Sequence, residues 1–437
     1  MTALNGTWRN WARTESVKPV RIERPDSIGA VQRAVRGAAR AGLRVKAVGA
    51  GHSFTGIAVA TGVLLELDEL TGIVSVDRER QRVTLLGGTR LFDLPRLLRP
   101  HGLAMANMGD IDRQSISGAI STGTHGTGAQ FGGISTQVTG LTLVTADGEL
   151  LHIDESENAE LLPAAALGLG ALGIIVEVTL QCVPAFVLEA VERPLPLDGV
   201  LERLDAHVGD NDHFEFYWFP GTRTAVTKTN TRADASVARR PLPALRAFVD
   251  DTLMANGVYR VTCAAGAMVP ALVPGVNALA DKLWSNREFS DHSHRVFTTK
   301  RTVRFREMEY ALPAADVPVV LGRIDQLIRE RGWRISFPVE VRFAQADELW
   351  LSTASGRASG YIAVHRYFRE NHTEYFEAVE EIMTEHQGRP HWGKLHTRDA
   401  ADLAALYPRH GDFVALRDRL DPERTFGNAY LDRVLGA

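Results

Sequence analysis

Four stretches of this chain carry residues suited to chemistry. The first is Val48-Gly49-Ala50-Gly51-His52-Ser53-Phe54. Two glycines after a strand-like run let the main chain approach a pyrophosphate, and successive N–H groups can cradle its oxygens. The spacing is not the dinucleotide-binding fingerprint. That pattern needs a third glycine at 54, where Phe54 stands, and a helix opening directly from the loop. Taken alone, a strand-to-loop turn with one satisfied histidine explains it as well. The second stretch runs from Ser117 and Gly118 through Ser121, Thr122, Gly123, His125, Gly126 and Thr127 to Gly128. Its small residues and hydroxyls make a surface on which a large planar ligand with a diphosphate could lie. A solvent-exposed loop is the plainer alternative.

The third stretch is Glu340-Val341-Arg342. In a strand, side chains alternate, so Glu340 and Arg342 share one face while Val339, Val341 and Phe343 share the other. A surface ion pair is the commoner role of such neighbours. His365 lies on one face of a later strand with Tyr361, Ala363 and Tyr367, where a histidine is more often structural than reactive. The fourth stretch is His391-Trp-Gly-Lys394, followed by His396. No H-E-x-x-H spacing occurs, and neither Cys182 nor Cys263 has a histidine close in sequence, so no metal site is expected. No Gly-x-Ser-x-Gly elbow stands in a strand–turn–helix context, which disfavours a hydrolase.

These residues need a scaffold. Residues 27–41 have apolar positions three and four apart, between Pro25-Asp26 and Gly42, which predicts an amphipathic helix. Strands are expected at Arg44–Val48, Val63–Leu67, Val83–Leu86, Thr139–Thr145 and Ile174–Leu180, and a helix near Leu91–Leu98. Residues 105–133 read as loop with one helical turn. Past Pro184, strands at His213–Trp218, Thr299–Phe305, Ser336–Phe343 and Tyr361–Tyr367 mix with helices at Val317–Glu330 and Tyr375–Glu385. The absence of regular βαβ alternation predicts an α+β layer on an antiparallel sheet. At 437 residues the chain exceeds one core, so two or three domains are expected. A net charge of -4 argues against nucleic acid as a partner. Two distant cysteines suit a reducing compartment. The apolar run Leu161–Val176 is too short for a membrane span and holds Pro163, so it reads as buried core. No integral membrane segment is expected. A cytoplasmic location is, with peripheral membrane association as the alternative.

The segments GAGHSF, SGAISTGTHGTG, LGALGIIVEVTL, EVR, YIAVH, RPHWGKLH and DPERTFGN, in this order, resemble FAD-linked aldonolactone oxidoreductases of the vanillyl-alcohol-oxidase type. The resemblance implies a two-domain fold. Residues 1–185 and a C-terminal return, 399–437, would bind FAD, and 186–398 would form an α+β cap over the substrate. It further implies that His52 bonds covalently to the flavin 8α-methyl carbon. Val48, Gly49 to Ser53, Ser117 to Thr127, Ile175 and Asn428 would contact FAD. Asp110, Glu340, Arg342, His365 and Lys394 would meet the substrate. The implied reaction is oxidation of an L-gulono-1,4-lactone-type aldonolactone at the C2 hydroxyl, with hydride transfer to flavin N5 and an ascorbate-type product. In it His365 is the candidate base, with Glu340 orienting it or taking the proton itself. Arg342 and Lys394 would stabilise developing negative charge. Alditol oxidases of the family, which act on xylitol or sorbitol and yield H2O2 from O2, carry serine where Asp110 stands, which tilts the expectation toward a lactone. The electron acceptor stays open between O2 and a quinone- or cytochrome-type partner. A flavin-binding protein without turnover is the alternative of another class.

Overall fold

The computed structural model describes residues 6–243, 246, 257, 259–283, 286–299 and 301–437. Strand β1 (Arg21–Glu23) leads into α1 (Ile28–Arg40), whose buried residues are Val31, Ala34, Val35 and Ala38. These pack in one cluster with Val45 of β2 (Val45–Val48) and with Val63 and Leu65 of β3 (Val63–Glu66). The three strands form a parallel sheet in the order β1-β3-β2. β4 (Ile73–Asp77) and β5 (Arg82–Leu86) follow. Next come a short helix at Leu94–Leu98 and the Gly-rich stretch. That stretch is mostly irregular apart from α2 (Ile116–Ser121), capped by Ser115, whose Oγ accepts the Gly118 N–H at 3.2 Å. β6 (Val138–Val144), β7 (Leu150–Asp154) and β8 (Ile174–Gln181) complete an antiparallel sheet of order β7-β6-β8-β5-β4. Leu161–Val176 makes one helical turn at Leu162–Ala165 and then runs buried into β8. Among the described residues no helix is long and apolar enough to cross a membrane.

The second layer is an eight-stranded antiparallel sheet. Its strands are β9 (Phe186–Pro196), β10 (His213–Trp218), β11 (Thr224–Asp234), β12 (Arg287–His292), β13 (Phe305–Pro313), β14 (Val339–Ala344), β15 (Ser359–Tyr367) and β16 (Arg389–Pro390). Their order is β12-β9-β11-β10-β14-β15-β13-β16. A strand was expected over Thr299–Phe305. Residues 299 and 301–304 are irregular instead, Lys300 lies outside the described residues, and β13 begins where the expected strand ends. The alternation in Phe305-Arg-Glu-Met-Glu-Tyr310 explains the shift, since it pairs in register with β15 from Phe305 onward.

Register decides what each face carries. Phe214, Phe216, Val339, Val341, Ile362, Val364, Met308 and Tyr310 share one face in a single cluster with Val320 and Ile324 of α3 (Val317–Arg331) and Val379 of α4 (Thr373–Glu385). The opposite face receives the polar residues. Tyr217 pairs with Glu340, Glu340 with Ala363 and Ala363 with Glu309 across four strands. Glu215, Arg342 and His365 alternate onto that face as well. The helices cover the apolar side, so the polar side must meet the first layer.

The last helices, α5 (Ala400–Leu406), α6 (His410–Leu420) and α7 (Ala429–Leu435), return to the first layer. Leu403, Phe413 and Leu431 share a cluster with Val83 and Leu143. Cys182 and Cys263 are buried and unpaired, and burial pushes both thiols up to about 12. Phe216→Ala is expected to destabilise the chain by about 3–5 kcal/mol, read as a lower urea midpoint. A midpoint no lower than that of Val319→Ala, at an exposed position of α3, would contradict this account of the core.

Candidate active site

A cleft of about 810 Å3 runs along the ends of β2 and α2. Val48 to Ser53 form one wall, and Ser117, Gly118, Ser121, Thr122 and Ile175 line the other. Gly51 has φ +67, and a Cβ there would meet the Trp8 ring at 3.3 Å, so the turn demands glycine. The N–H groups of Ala50, Gly51, His52 and Ser53 meet no acceptor among the described residues, as an anion-binding loop requires. Gln114 Oε1 is buried without a partner among them, while its amide donates to Thr124 Oγ1 at 2.9 Å. A planar ligand with ring N–H donors and a diphosphate fits this donor and acceptor set.

Four of the expected cofactor residues are not in the lining of this cleft and make contacts within the chain. Thr127 donates its hydroxyl to Phe214 O, accepts the Phe343 N–H at 3.1 Å, and so ties the Gly-rich loop to the second layer. Gly126 lies so close to Met108 that a Cβ would approach its carbonyl oxygen to 2.2 Å. Gly123 follows α2 and packs on Leu167. The Asn428 amide donates to the carbonyls of Gly56, Ile57 and Val59, each at 3.0 Å, and its Oδ1 caps α7. Gly-rich composition alone does not separate chain-to-ligand from chain-to-chain contact. His125 lines the neighbouring cavity rather than the cleft.

That neighbouring cavity, of about 770 Å3, shares His52, Ser53, Gln114 and Thr122 with the cleft. Its far wall is the polar face of the second sheet. Arg342 pairs with Glu340, with Glu215 at 3.0 Å and with Asp110 at 3.6 Å. Asp110 pairs with Arg301 at 2.6 Å. Burial alone would raise the Asp110 carboxyl, but Arg301, Arg342 and Lys394 hold it well below the usual carboxylate range. Glu340 is pushed up, because burial, with Asp110 and Glu215 nearby, outweighs Arg342 and Arg301. Lys394 pairs with Glu307 and stands 4.0 Å from Glu309. Burial would lower the ammonium, yet these two carboxylates raise it. Despite their own burial, Glu307 is held down by Lys394 and His365, and Glu309 by His125 and Lys394.

His365 donates Nδ1–H to Pro338 O at 2.9 Å, so Nε2 is its remaining nitrogen, 3.5 Å from Glu307. Glu340 was expected to orient this histidine. Its contacts run instead to Arg342, Tyr217 and Arg301, and Glu307 takes the orienting position. His52 stacks on Trp11 at 5.6 Å between centroids. Burial, then the charge of Lys394, lowers its imidazole to about 4. Glu307 and Glu309 escaped the sequence reading because the expected strand stopped at Phe305. Arg301 lies in irregular chain, and Gln114 carried no motif. The alternation of His213-Phe-Glu-Phe-Tyr-Trp218 was the available signal for Glu215 and Tyr217.

In these two layers, then, a glycine-lined cleft opens onto a buried wall of paired acids and bases. The FAD-binding domain profile matches residues 19–154, and the D-arabinono-1,4-lactone oxidase profile matches residues 178–434. The chain belongs to this family of aldonolactone oxidoreductases, enzymes that act on CH–OH groups. It is 43% identical over 433 residues to the L-gulono-1,4-lactone dehydrogenase of Mycobacterium tuberculosis, covering 99% of this chain and 100% of that protein. The alditol oxidase of a Streptomyces species is 32% identical over 98% of both chains. In fold, the chain is similar to cholesterol oxidase from Brevibacterium sterolicum, with a TM-score of 0.80 and 18% identity over 98% of this chain and 96% of that one.

Asp110, Glu307 and Glu309 titrate below their unfolded values of roughly 4 to 4.5. Their contribution to stability is therefore complete above that range and is lost as pH falls through it toward the folded values. The urea midpoint is expected to drop from about pH 6 to about pH 3.5 more steeply in the wild type than in an Asp110→Asn/Glu307→Gln/Glu309→Gln variant. Equal slopes would rule out these shifts.

Proposed function

We propose that the protein oxidises the C2 hydroxyl of an aldonolactone of the L-gulono-1,4-lactone type, with FAD in the glycine-lined cleft and His52 as its covalent tether. The observation that carries this reading is the convergence of Glu340, Arg342, His365 and Lys394 on one cavity continuous with that cleft. FAD, when bound, supplies the acceptor for the hydride.

The chain's own residues handle the hydroxyl proton and the charge. His365, with Nδ1–H committed to Pro338, offers Nε2 to the hydroxyl proton, and Glu307 steadies the resulting cation. Arg342, oriented by Glu340 and Glu215, and Lys394, oriented by Glu307, supply positive charge fixed before reaction and so lower the cost of the developing alkoxide. His52, its imidazole lowered to about 4 and so neutral at physiological pH, would present a free ring nitrogen to the 8α-methyl group of a bound FAD, as a tether at that carbon requires. The resemblance puts Asp110 where alditol oxidases carry a serine, and its ion pair with Arg301 supports a compact ring over an extended polyol.

Anaerobic mixing with a panel of lactones and alditols, followed by admission of air, tests the reading. Bleaching of the flavin by L-gulono-1,4-lactone and not by xylitol is expected, and the reverse would establish the alditol alternative. Lys394→Ala and Arg342→Ala should each cut turnover by roughly 10²–10³ while FAD stays bound, and normal turnover in either would refute its role. After acid precipitation, flavin colour should stay in the pellet of the wild type and move to the supernatant for His52→Ala. Wild-type flavin found wholly in the supernatant would sink the covalent tether.

A further inference from the structure

Lys46 of β2 is buried, with 3% exposure, and belongs to the lining of the glycine-rich cleft. It is the one Lys or Arg in that lining, which holds no Asp or Glu. Its ammonium donates to Gly170 O at 3.0 Å and to Phe426 O at 3.1 Å. Gly170, with φ +62, lines the same cleft, and a Cβ there would stand 3.5 Å from Lys46 Nζ. The cation thus sits in the cleft wall, beside a residue with no side chain to screen it.

An ammonium satisfied by carbonyls alone keeps its full charge, and burying such a charge without a counter-ion is costly. Two carboxylates act on Lys46 from a distance, Asp421 and Asp432, and both are committed elsewhere. Asp421 accepts the N–H groups of Thr425 at 2.7 Å and Phe426 at 2.8 Å. Asp432 pairs with Arg44 at 2.9 Å and with Arg417 at 3.6 Å. Burial, then the charge of Arg417, outweighs both acids and lowers the Lys46 ammonium to about 7. A neutral donor could hold the same two carbonyls without that cost, so tying Gly170 to Phe426 does not explain a cation here.

We propose that Lys46 is the counter-charge for the diphosphate of FAD, an anion site in the cleft wall that complements the main-chain N–H groups of Ala50 to Ser53. The inference rests on the proposed placement of FAD in this cleft. A cradle of N–H groups offers only partial positive charge, whereas a diphosphate diester brings two full negative charges. The lining has no other fixed cation to meet them. Two of the three ammonium N–H bonds are spent on Gly170 O and Phe426 O, and the third has no acceptor among the described residues. Those two carbonyls, one from the Gly170 turn and one from the C-terminal return, also restrict where the ammonium can point. Ligand and lysine would then relieve each other, the anion gaining a cation and the buried cation a counter-ion.

The experiment uses the full-length His52→Ala protein, from which untethered flavin is removed by dialysis, and ADP-ribose, a diphosphate diester without a flavin. Adding Lys46→Gln should weaken ADP-ribose binding roughly 10- to 100-fold at about pH 6 and leave the affinity for adenosine unchanged. Lys46→Arg, which keeps the charge, should recover most of the loss. A bound anion raises the ammonium from about 7, so ADP-ribose should bind best below that pH and more weakly as pH rises through it. Calorimetry at about pH 8, in buffers of different ionisation enthalpy, should show proton uptake on binding that Lys46→Gln abolishes. Unchanged ADP-ribose binding in Lys46→Gln would overturn the proposal. So would an equal loss for adenosine, which would assign Lys46 to the base or to the fold. Should Lys46→Gln fail to fold, the protein with Lys46 intact still decides, because a flat pH profile without proton uptake overturns the proposal. A wild type purified without flavin would sink the placement of FAD, while the ADP-ribose measurements would still read Lys46.

Discussion

A sheet face studded with carboxylates can be buried only against cations, and the architecture around the cavity answers that requirement. Glu340 and Glu309 alternate with apolar residues on strands whose other face is fully covered by α3 and α4. They cannot turn away, so Arg342, Arg301 and Lys394 have to come to them. The last two arrive from irregular chain rather than from the sheet. Pairs of this kind add little net stability, since desolvation consumes most of the Coulombic gain. What they supply is a fixed field in a space where water is scarce, and such a field is useful wherever an alkoxide must form.

Legibility from sequence followed the range of the physical cause. Helix α1 and the apolar face of the eight-stranded sheet were readable because hydrophobic periodicity is local. The shared face of Glu340 and Arg342, and the placing of His365 with Tyr361 and Ala363, followed from strand alternation alone. Pairings across the fold were out of reach. Asp110 meets Arg301 over nearly two hundred residues of chain, and no spacing rule connects them. Thr127, Gly126 and Asn428 were ambiguous for the opposite reason. Their types suit ligand contact and chain contact equally, and only the geometry separates the two. The orienting partner of His365 differed as well, because the register sets Glu307 of β13 opposite His365 and Glu340 of β14 opposite Ala363.

The two layers are joined at the chemistry. Gly128 N–H donates to Phe343 O at 2.8 Å, and Thr127 holds both Phe214 and Phe343. The backbone at Gly128 thereby makes an extra, short strand-like contact on β14, the strand that bears Glu340 and Arg342. Phe54 N–H likewise donates to Gly393 O at 2.7 Å, which links the His52 loop to the Lys394 loop. The wall of the cleft and the wall of the neighbouring cavity share main-chain hydrogen bonds, so their separation is set by backbone pairing as well as by side-chain packing.

The burial of the two thiols has a consequence for a redox catalyst. Whenever dioxygen takes the electrons, peroxide is released within reach of the chain, and the thiolate is the form of cysteine that reacts with it. Cys182 and Cys263, pushed up to about 12, present almost none. Met105, Met108, Met308 and Met383 are sealed inside, whereas Met268, at the end of a helix spanning Tyr259–Met268, is 81% exposed. Oxidative wear on the described residues would therefore begin at Met268, on a surface outside the lining of both cavities, and leave the working wall chemically intact.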